Sequence, residues 1–412
     1  MLQPVNQSRR SRSGVAPWSW WAILSLIILG TLVRLYLAFH FFGVFEDMTA
    51  ILEVRQALRG NWLHVYSLVN RTTSEYGFTI FRWPYAPGFF PFILAAGKLS
   101  TITHTAIYGW VKLPAIAADA ALALIVQDGL RRRGGIDSSR VAAVGLIAVG
   151  LPFVVISGYH GQIDSLSILP AVGAMVIWTG RRRNSWLCGG LIGCAGTIKP
   201  APFLVLFALL PTASWRQRVA LSGSAVAVLG LSLLPFALAD PTGVSHLRQF
   251  SGLPGFGGVS LLAQPDLADV WINGVGHRLS SLSIGLLRHG SLLSGIGLLV
   301  VVAWVWHRRA QPVEAAVILW LAFYVLATGF AFQYLIWGIP FFLLAGHVRL
   351  VAALELVIAV PMFVLYVHPH IPNDVWVYVA LMAVVWAGFL VAFGRSAAQT
   401  AAASVLPMSR ST

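Results

Sequence analysis

The apolar residues of this chain fall into runs long enough to cross a bilayer, one after another from Trp18 to Phe393, with arginine clusters between them. Little but a polytopic α-helical membrane protein fits that pattern, because a backbone in hydrocarbon must satisfy its own hydrogen bonds and a helix does so within one segment. The chain is 58% hydrophobic and only 10% charged. Its mean hydropathy is +0.78, which suits runs near the ~20 residues a span needs. The net charge of +14 would suit a nucleic-acid binder if the basic residues formed a patch. They sit instead in short clusters between apolar runs, as the positive-inside rule expects of cytoplasmic loops, and no nucleic-acid partner is expected. Cys188 and Cys194 share one apolar segment, so neither a disulfide framework nor a thiolate metal site is indicated. Trp18 to Phe42 is too long for a signal-peptide core and lacks a convincing cleavage site, which makes it a retained first span.

Placing the basic clusters on one side sets the expected topology. Arg9, Arg10 and Arg12 put the N-terminus inside; Arg131 to Arg133, Arg181 to Arg183, Arg216 with Arg218, Arg308 with Arg309, Arg349 and Arg395 mark further inner loops. An all-α integral membrane fold of about twelve spans satisfies all of them, near 18–42, 107–129, 141–158, 163–180, 185–198, 201–213, 219–239, 282–306, 313–332, 335–347, 350–367 and 375–394. Tyr85 to Leu99 is apolar enough to span, yet counting it would turn Arg131 to Arg133 outward. It is therefore expected to dip into the outer face and return, after a start broken by Pro84, Pro87 and Gly88. Residues 17–395 form one membrane domain, with outer loops 43–106 and 240–281 building the site and disordered cytoplasmic tails at 1–16 and 396–412.

The unusual residues gather on the outer side. Loop one carries Glu46, Asp47, Arg55, Arg59, Arg71, Glu75 and Arg82; a turn between spans carries Gly158-Tyr159-His160-Gly161-Gln162-Ile163-Asp164; Lys199-Pro200 breaks the next pair. The long loop adds His246, Arg248, Asp266, Asp269 and Arg278, and Phe332-Gln333-Tyr334-Leu335-Ile336-Trp337 opens a later helix. A paired carboxylate beside a bilayer offers a general base, and basic groups across from it offer charge stabilisation to an anionic leaving group.

Each element also has a plain structural reading. From Met48, apolar Ile51, Leu52 and Leu58 alternate with Arg55, Gln56 and Arg59, which predicts an interfacial helix ending at Gly60-Asn61, with Asp47 suited to its N-cap. Lys199 and Arg34 can snorkel to the interface, His160 can serve its turn alone, and Lys112 and Asp119 can pair with neighbours. His368-Pro369-His370 reads as a turn. No phosphate loop, HExxH or GxSxG motif occurs.

The ordered set of Glu46-Asp47 after the first span, Trp83-Pro84-Tyr85-Ala86-Pro87, Lys112 through Asp119, the Gly158 to Asp164 turn, Lys199, and Gln333-Tyr334-Leu335-Ile336-Trp337-Gly338-Ile339-Pro340 resembles the GT-C superfamily of multi-spanning glycosyltransferases, over about residues 20–345. Within it the chain is most similar to bacterial polyprenyl-phosphate-mannose mannosyltransferases and to the catalytic subunit of glycosylphosphatidylinositol mannosyltransferase I. No single motif is specific; the order is.

The resemblance implies Asp47 as catalytic carboxylate with Glu46 its companion, and donor-phosphate contacts at Lys199, His160, Gln162 and Arg278. It implies substrate-binding roles for Arg82, Tyr85, Asp164, Gln333 and Tyr334. It implies an inverting transfer of a hexose, mannose foremost, from a polyprenyl-phosphate donor to a lipid-linked or envelope glycan acceptor at the extracytoplasmic face. No cofactor is required, although Glu46 and Asp47 have the chemistry to recruit a divalent cation. The chain departs from its relatives at Gln249 to Gly258, which is nearly uncharged where they carry a charged motif. The rival readings are a lipid or solute transporter, with Lys112, Asp119 and Lys199 along the path, and a non-catalytic assembly subunit.

Overall fold

Apolar runs become helices. The protein is described by a computed structural model over residues 17–70, 73–75, 78–80, 83–181, 183–248, 257–263, 280–367 and 375–405. The first helices are α1 (Pro17–His40), α2 (Phe45–Asn61), α3 (Val65–Val69) and α4 (Phe90–Thr103). They are followed by α5 (Ile107–Arg132), α6 (Asp137–Ala148), α7 (Leu151–Phe153), α8 (Asp164–Thr179), α9 (Ser185–Gly196), α10 (Leu204–Leu209), α11 (Trp215–Ala239) and α12 (Pro241–Ser245). The last are α13 (Ser281–His307), α14 (Pro312–Leu326), α15 (Leu335–Leu344), α16 (Val348–Tyr366) and α17 (Val375–Val405). Among the described residues the all-α expectation holds apart from a short antiparallel ribbon in the first loop, β1 (Thr73–Glu75) with β2 (Phe78–Ile80).

Among the described residues seven stretches are long and apolar enough to cross a membrane: Trp18–His40, Ile107–Arg132, Asp137–His160, Trp215–Ala239, Arg288–His307, Val348–Tyr366 and Trp376–Ala402. The other five expected spans are shorter apolar helices, Asp164–Thr179, Ser185–Gly196, Ala201–Thr212, Pro312–Leu326 and Phe332–Leu344. A helix of a dozen residues is only about 18 Å long, so its ends depend on neighbours. Accordingly α14 and α15, apolar all round, are buried all round at the centre of the bundle. Peripheral helices α1, α11, α13 and α17 instead present Trp21, Leu32, Leu231, Leu238, Leu292, Leu299 and Val391 outward. That apolar rim is what a lipid environment accepts.

Helix ends follow local chemistry. Helix α5 stops where Gly134 takes a left-handed φ of 81° and Gly135 N–H returns to the Leu130 carbonyl. Helix α11 begins with a capping box between Ser214 and Gln217. At this end of the bundle Arg133 pairs with Glu314 at 3.2 Å and Arg218 lies 4.4 Å over the Trp306 ring, so the arginine-rich termini of α5, α11, α13 and α14 share one side. The chain then runs α17 to Val405, which replaces the disordered tail expected from residue 396 up to that point.

The opposite end carries a second apolar cluster. Helix α2 buries Met48, Ile51, Val54 and Leu58 against Tyr66, Trp83, Phe90, Ile93 and Phe236; a fully buried side chain of this kind stabilises by roughly 1.5–3 kcal/mol. The amphipathic helix is therefore as expected in face and C-terminus. Its start differs: Val44 holds the N-cap position without a side-chain cap bond. Asp47 stands one turn inside and is free for another task.

Arg34 departs from the snorkelling expectation. It is turned inward, with Nε 2.8 Å from Asp119 Oδ2, and its guanidinium donates to the Ala148 carbonyl and, at 2.7 Å, to that of Ile147. Pro152 explains the choice. Lacking an N–H, it orphans the Ala148 carbonyl four residues back, while Leu151 N–H is taken by Glu355, orphaning Ile147. Arg34 satisfies both, and Asp119 neutralises it. Beyond the break, Val154–His160 winds as a wide π-turn, a form that recurs at functional sites.

Candidate active site

The π-turn ends at Gly161, whose φ of 91° lies in the left-handed region. Its own N–H and that of Gln162 both donate to the Ile156 carbonyl, at 3.0 and 3.1 Å. A Cβ at Gly161 would sit 2.9 Å from Lys112 Cε and 3.0 Å from Met48 Cε; glycine lets α2 and α5 close on the turn. Lys112 then clamps the end of α1 to it, donating to the carbonyls of Phe41 and Tyr159 at 2.8 Å each.

From the other side comes the segment before α4. Asn70 holds Trp83 through both backbone groups, at 2.7 and 3.0 Å, and Gly88 N–H donates to the Thr197 carbonyl at 2.7 Å. A side chain at Gly88 would collide with Thr197. This docking sets the Tyr85 ring 4.6 Å from Lys199 Nζ.

Lys199 follows α9, where Pro200 ends the helix. It is neither at the lipid edge, as a donor-phosphate contact was expected to be, nor snorkelling. It is 2% exposed and ion-paired with the fully buried Asp164 at 2.9 Å, because an ammonium in an apolar interior needs a counter-charge. Lys199 also donates to Gln162 Oε1 at 2.9 Å. Asp164, expected to touch substrate, is closed off: Oδ1 accepts from Lys199 and, at 2.7 Å, from Trp337 Nε1. Both residues are thus engaged by protein groups in the interior.

Asp47 lies above them. Its side chain is 37% exposed, and His160 Nε2 is 3.4 Å from Oδ2. Enclosure by protein pushes its carboxyl up from the ordinary range; a hydrogen bond from Gln162 and the nearby Lys199 charge pull the other way without cancelling it. The carboxylate is thus held between His160 and Gln162. His160, expected on the donor phosphate, is buried at 2% and meets the Tyr366 ring edge-on at 4.5 Å.

The wall is aromatic. Tyr334 stacks on Trp337 at 4.2 Å, Tyr85 and Tyr334 are half-buried, and Gln333 accepts from Tyr366 Oη. The structure therefore brings together Asp47, His160, Gln162, Asp164, Lys199, Tyr85, Gln333 and Tyr334. Arg82, Arg278, Arg71, Asp266, Asp269 and the His368-Pro369-His370 turn lie outside the described residues, as do the side chains of Glu46, Glu75 and Arg248. Sequence reasoning missed Tyr366; its signal was only its place before that turn. Among the described residues no cluster of three or more His, Cys, Asp or Glu is placed to hold a metal.

Lys112, Asp119 and Lys199, the charges a transporter would place along a path, are each engaged by the protein itself. That pattern fits a fixed site better than a conduit.

Comparison with known proteins places this architecture. In fold the chain is similar to the crystal structure of ArnT from Cupriavidus metallidurans bound to undecaprenyl phosphate, with a TM-score of 0.51 at 14% identity over 94% of this chain and 78% of that one. The Archaeoglobus fulgidus oligosaccharyltransferase, tethered with an acceptor peptide, overlaps at a TM-score of 0.38 and 14% identity, over 92% of this chain and 55% of that one. No curated protein matches in sequence. The fold is of the GT-C type. The profile of glycosyltransferase family 87 matches residues 83–329, from the Trp83 segment through the π-turn and Lys199 to the end of α14. With more than half of its length matched, the chain belongs to glycosyltransferase family 87.

Proposed function

We propose that this enzyme is an inverting glycosyltransferase that moves a hexose, mannose foremost, from a polyprenyl-phosphate donor to a lipid-linked or envelope glycan acceptor at the extracytoplasmic face. Asp47 carries the reading: within the cluster it is the carboxylate still open, Asp164 being closed by Lys199 and Trp337. The acceptor hydroxyl oxygen attacks the anomeric carbon, the bond from that carbon to the phosphate oxygen breaks, and its electron pair leaves with the polyprenyl phosphate. Asp47 takes the hydroxyl proton as general base. A β-linked donor then yields an α-linked product.

The lipid moiety of the donor suits a protein whose rim is apolar, and the likeness to an undecaprenyl-phosphate-bound fold supports it. Half-buried Tyr85 and Tyr334 offer faces for sugar rings, and Gln333 a polar handle. Arg278 remains the assignment for a donor-phosphate contact and Arg82 for a substrate contact, both outside the described residues. The extracytoplasmic placement is supported by the site lying opposite the arginine-rich helix termini.

The test is transfer by purified protein in detergent from synthetic polyprenyl-phosphate mannose, glucose or galactose to octyl α-mannoside. Mannose is expected to transfer at least about tenfold faster than the others, a ratio within reach of a few polar contacts. Transfer from a nucleotide sugar and from none of the lipid donors would refute the proposal.

A further inference from the structure

We infer that Lys199 and Gln162 are positioning residues for Asp47: Lys199 sets which way the Gln162 amide faces, and the amide in turn holds the carboxylate. This rests on Asp47 being the base. An ammonium only donates, so the Gln162 atom 2.9 Å from Lys199 Nζ must be the carbonyl oxygen Oε1. A planar amide then has to direct its NH2 elsewhere, and the group receiving it is Asp47. Were the amide turned over, its oxygen would face the carboxylate oxygen, two acceptors with no proton between them.

The orientation is locked from beneath. Lys199 is held by both oxygens of Asp164, at 3.0 and 2.9 Å, and its remaining side lies over the Tyr85 ring at 4.6 Å. Its hydrogens are engaged, leaving none for a phosphate oxygen. Trp337 Nε1 fixes Asp164 in turn, and the Gly161 turn fixes the Gln162 backbone. The charged or titratable groups facing Asp47 are Lys199, Asp164, His160, Tyr85, Tyr334 and Tyr366. His160 Nε2 lies 3.4 Å from Asp47 Oδ2, so the amide and the imidazole flank the carboxylate, and of the two only the amide is tied to Lys199.

The experiment compares Gln162→Glu, Lys199→Arg and the charge-neutral double variant Lys199→Met with Asp164→Asn, using the polyprenyl-phosphate sugar the wild type uses best and octyl α-mannoside across a pH series. Gln162→Glu still accepts from Lys199 but presents a like charge to Asp47, so the acid limb of kcat is expected to move up by about one pH unit or more, with the donor KM within about twofold. The double variant removes the Oε1 anchor that holds the amide in place and the Lys199 charge that favours the ion, and moves the limb the same way. Lys199→Arg keeps a donor-only partner and leaves the limb near its wild-type position. An unmoved limb in Gln162→Glu together with a donor KM raised tenfold or more would make these residues phosphate contacts and overturn the inference. If Gln162→Glu does not fold, Gln162→Leu poses the same question, and an unmoved limb again overturns it. Transfer retained by Asp47→Asn would remove the base itself; an inactive Asp47→Asn beside an unmoved limb in Gln162→Glu would remove only the relay.

Discussion

At Asp47 two influences act on one carboxyl group. Enclosure favours the protonated form, and the Gln162 hydrogen bond with the Lys199 charge favours the ion; enclosure is the larger. A general base works only as the carboxylate, so turnover is expected to fall on acidification through a pH above the ordinary aspartate value of about 3.9. A pH series of kcat measures this, and activity that stays level down to about pH 4 would speak against a raised base. The charged residues that meet here stood out in the sequence because acids and ammonium groups beside apolar runs need a reason. Their partners were not. Nothing in spacing says that Lys199 meets Asp164, 35 positions earlier, or that Trp337 reaches it across 173, and without the pair Lys199 read as a free phosphate ligand.

The elements were read from run length and breakers, and most of them stand where apolar runs do. The π-turn was marked only in part: Gly158 to His160 fell in an expected turn and Pro152 hinted at a break, but nothing in the sequence marked the wide winding that begins at Val154. Its stability depends on Arg34, which occupies the carbonyls that the break leaves open. Replacing Arg34 with Leu would strand Asp119 as a buried charge and is expected to lower stability by about 3–5 kcal/mol. Replacing both Arg34 and Asp119 with Leu should recover part of that loss, though the carbonyls of Ile147 and Ala148 stay unpaired. Thermal unfolding of the detergent-solubilised variants measures both; a double variant no better than Arg34→Leu alone would show that the ion pair is not what the arginine serves. The start of α2 was also misplaced, since Asp47 has the chemistry of a cap but Val44 takes the position.

At the scale of the whole molecule, the helices separate an arginine-rich end from the end where Lys112, His160 and Lys199 converge. By the positive-inside rule the first end is expected to be the cytoplasmic one. Reporters fused after Arg133 or Arg183 are therefore expected inside and one after Tyr76 outside; an outside reporter at Arg133 would invert the arrangement. Run length could not say which helices are too short to cross unaided, because α14 and α15 borrow their surroundings from neighbours. The central claim is that Asp47 takes the acceptor proton during sugar transfer. Its most direct test compares purified wild type with Asp47→Asn and Glu46→Gln, measuring transfer from the lipid-phosphate sugar alongside donor binding and thermal unfolding. Asp47→Asn is expected to lose roughly 10²-fold or more of turnover with binding and unfolding little changed. Near-normal transfer by Asp47→Asn, or a loss confined to Glu46→Gln, would contradict it.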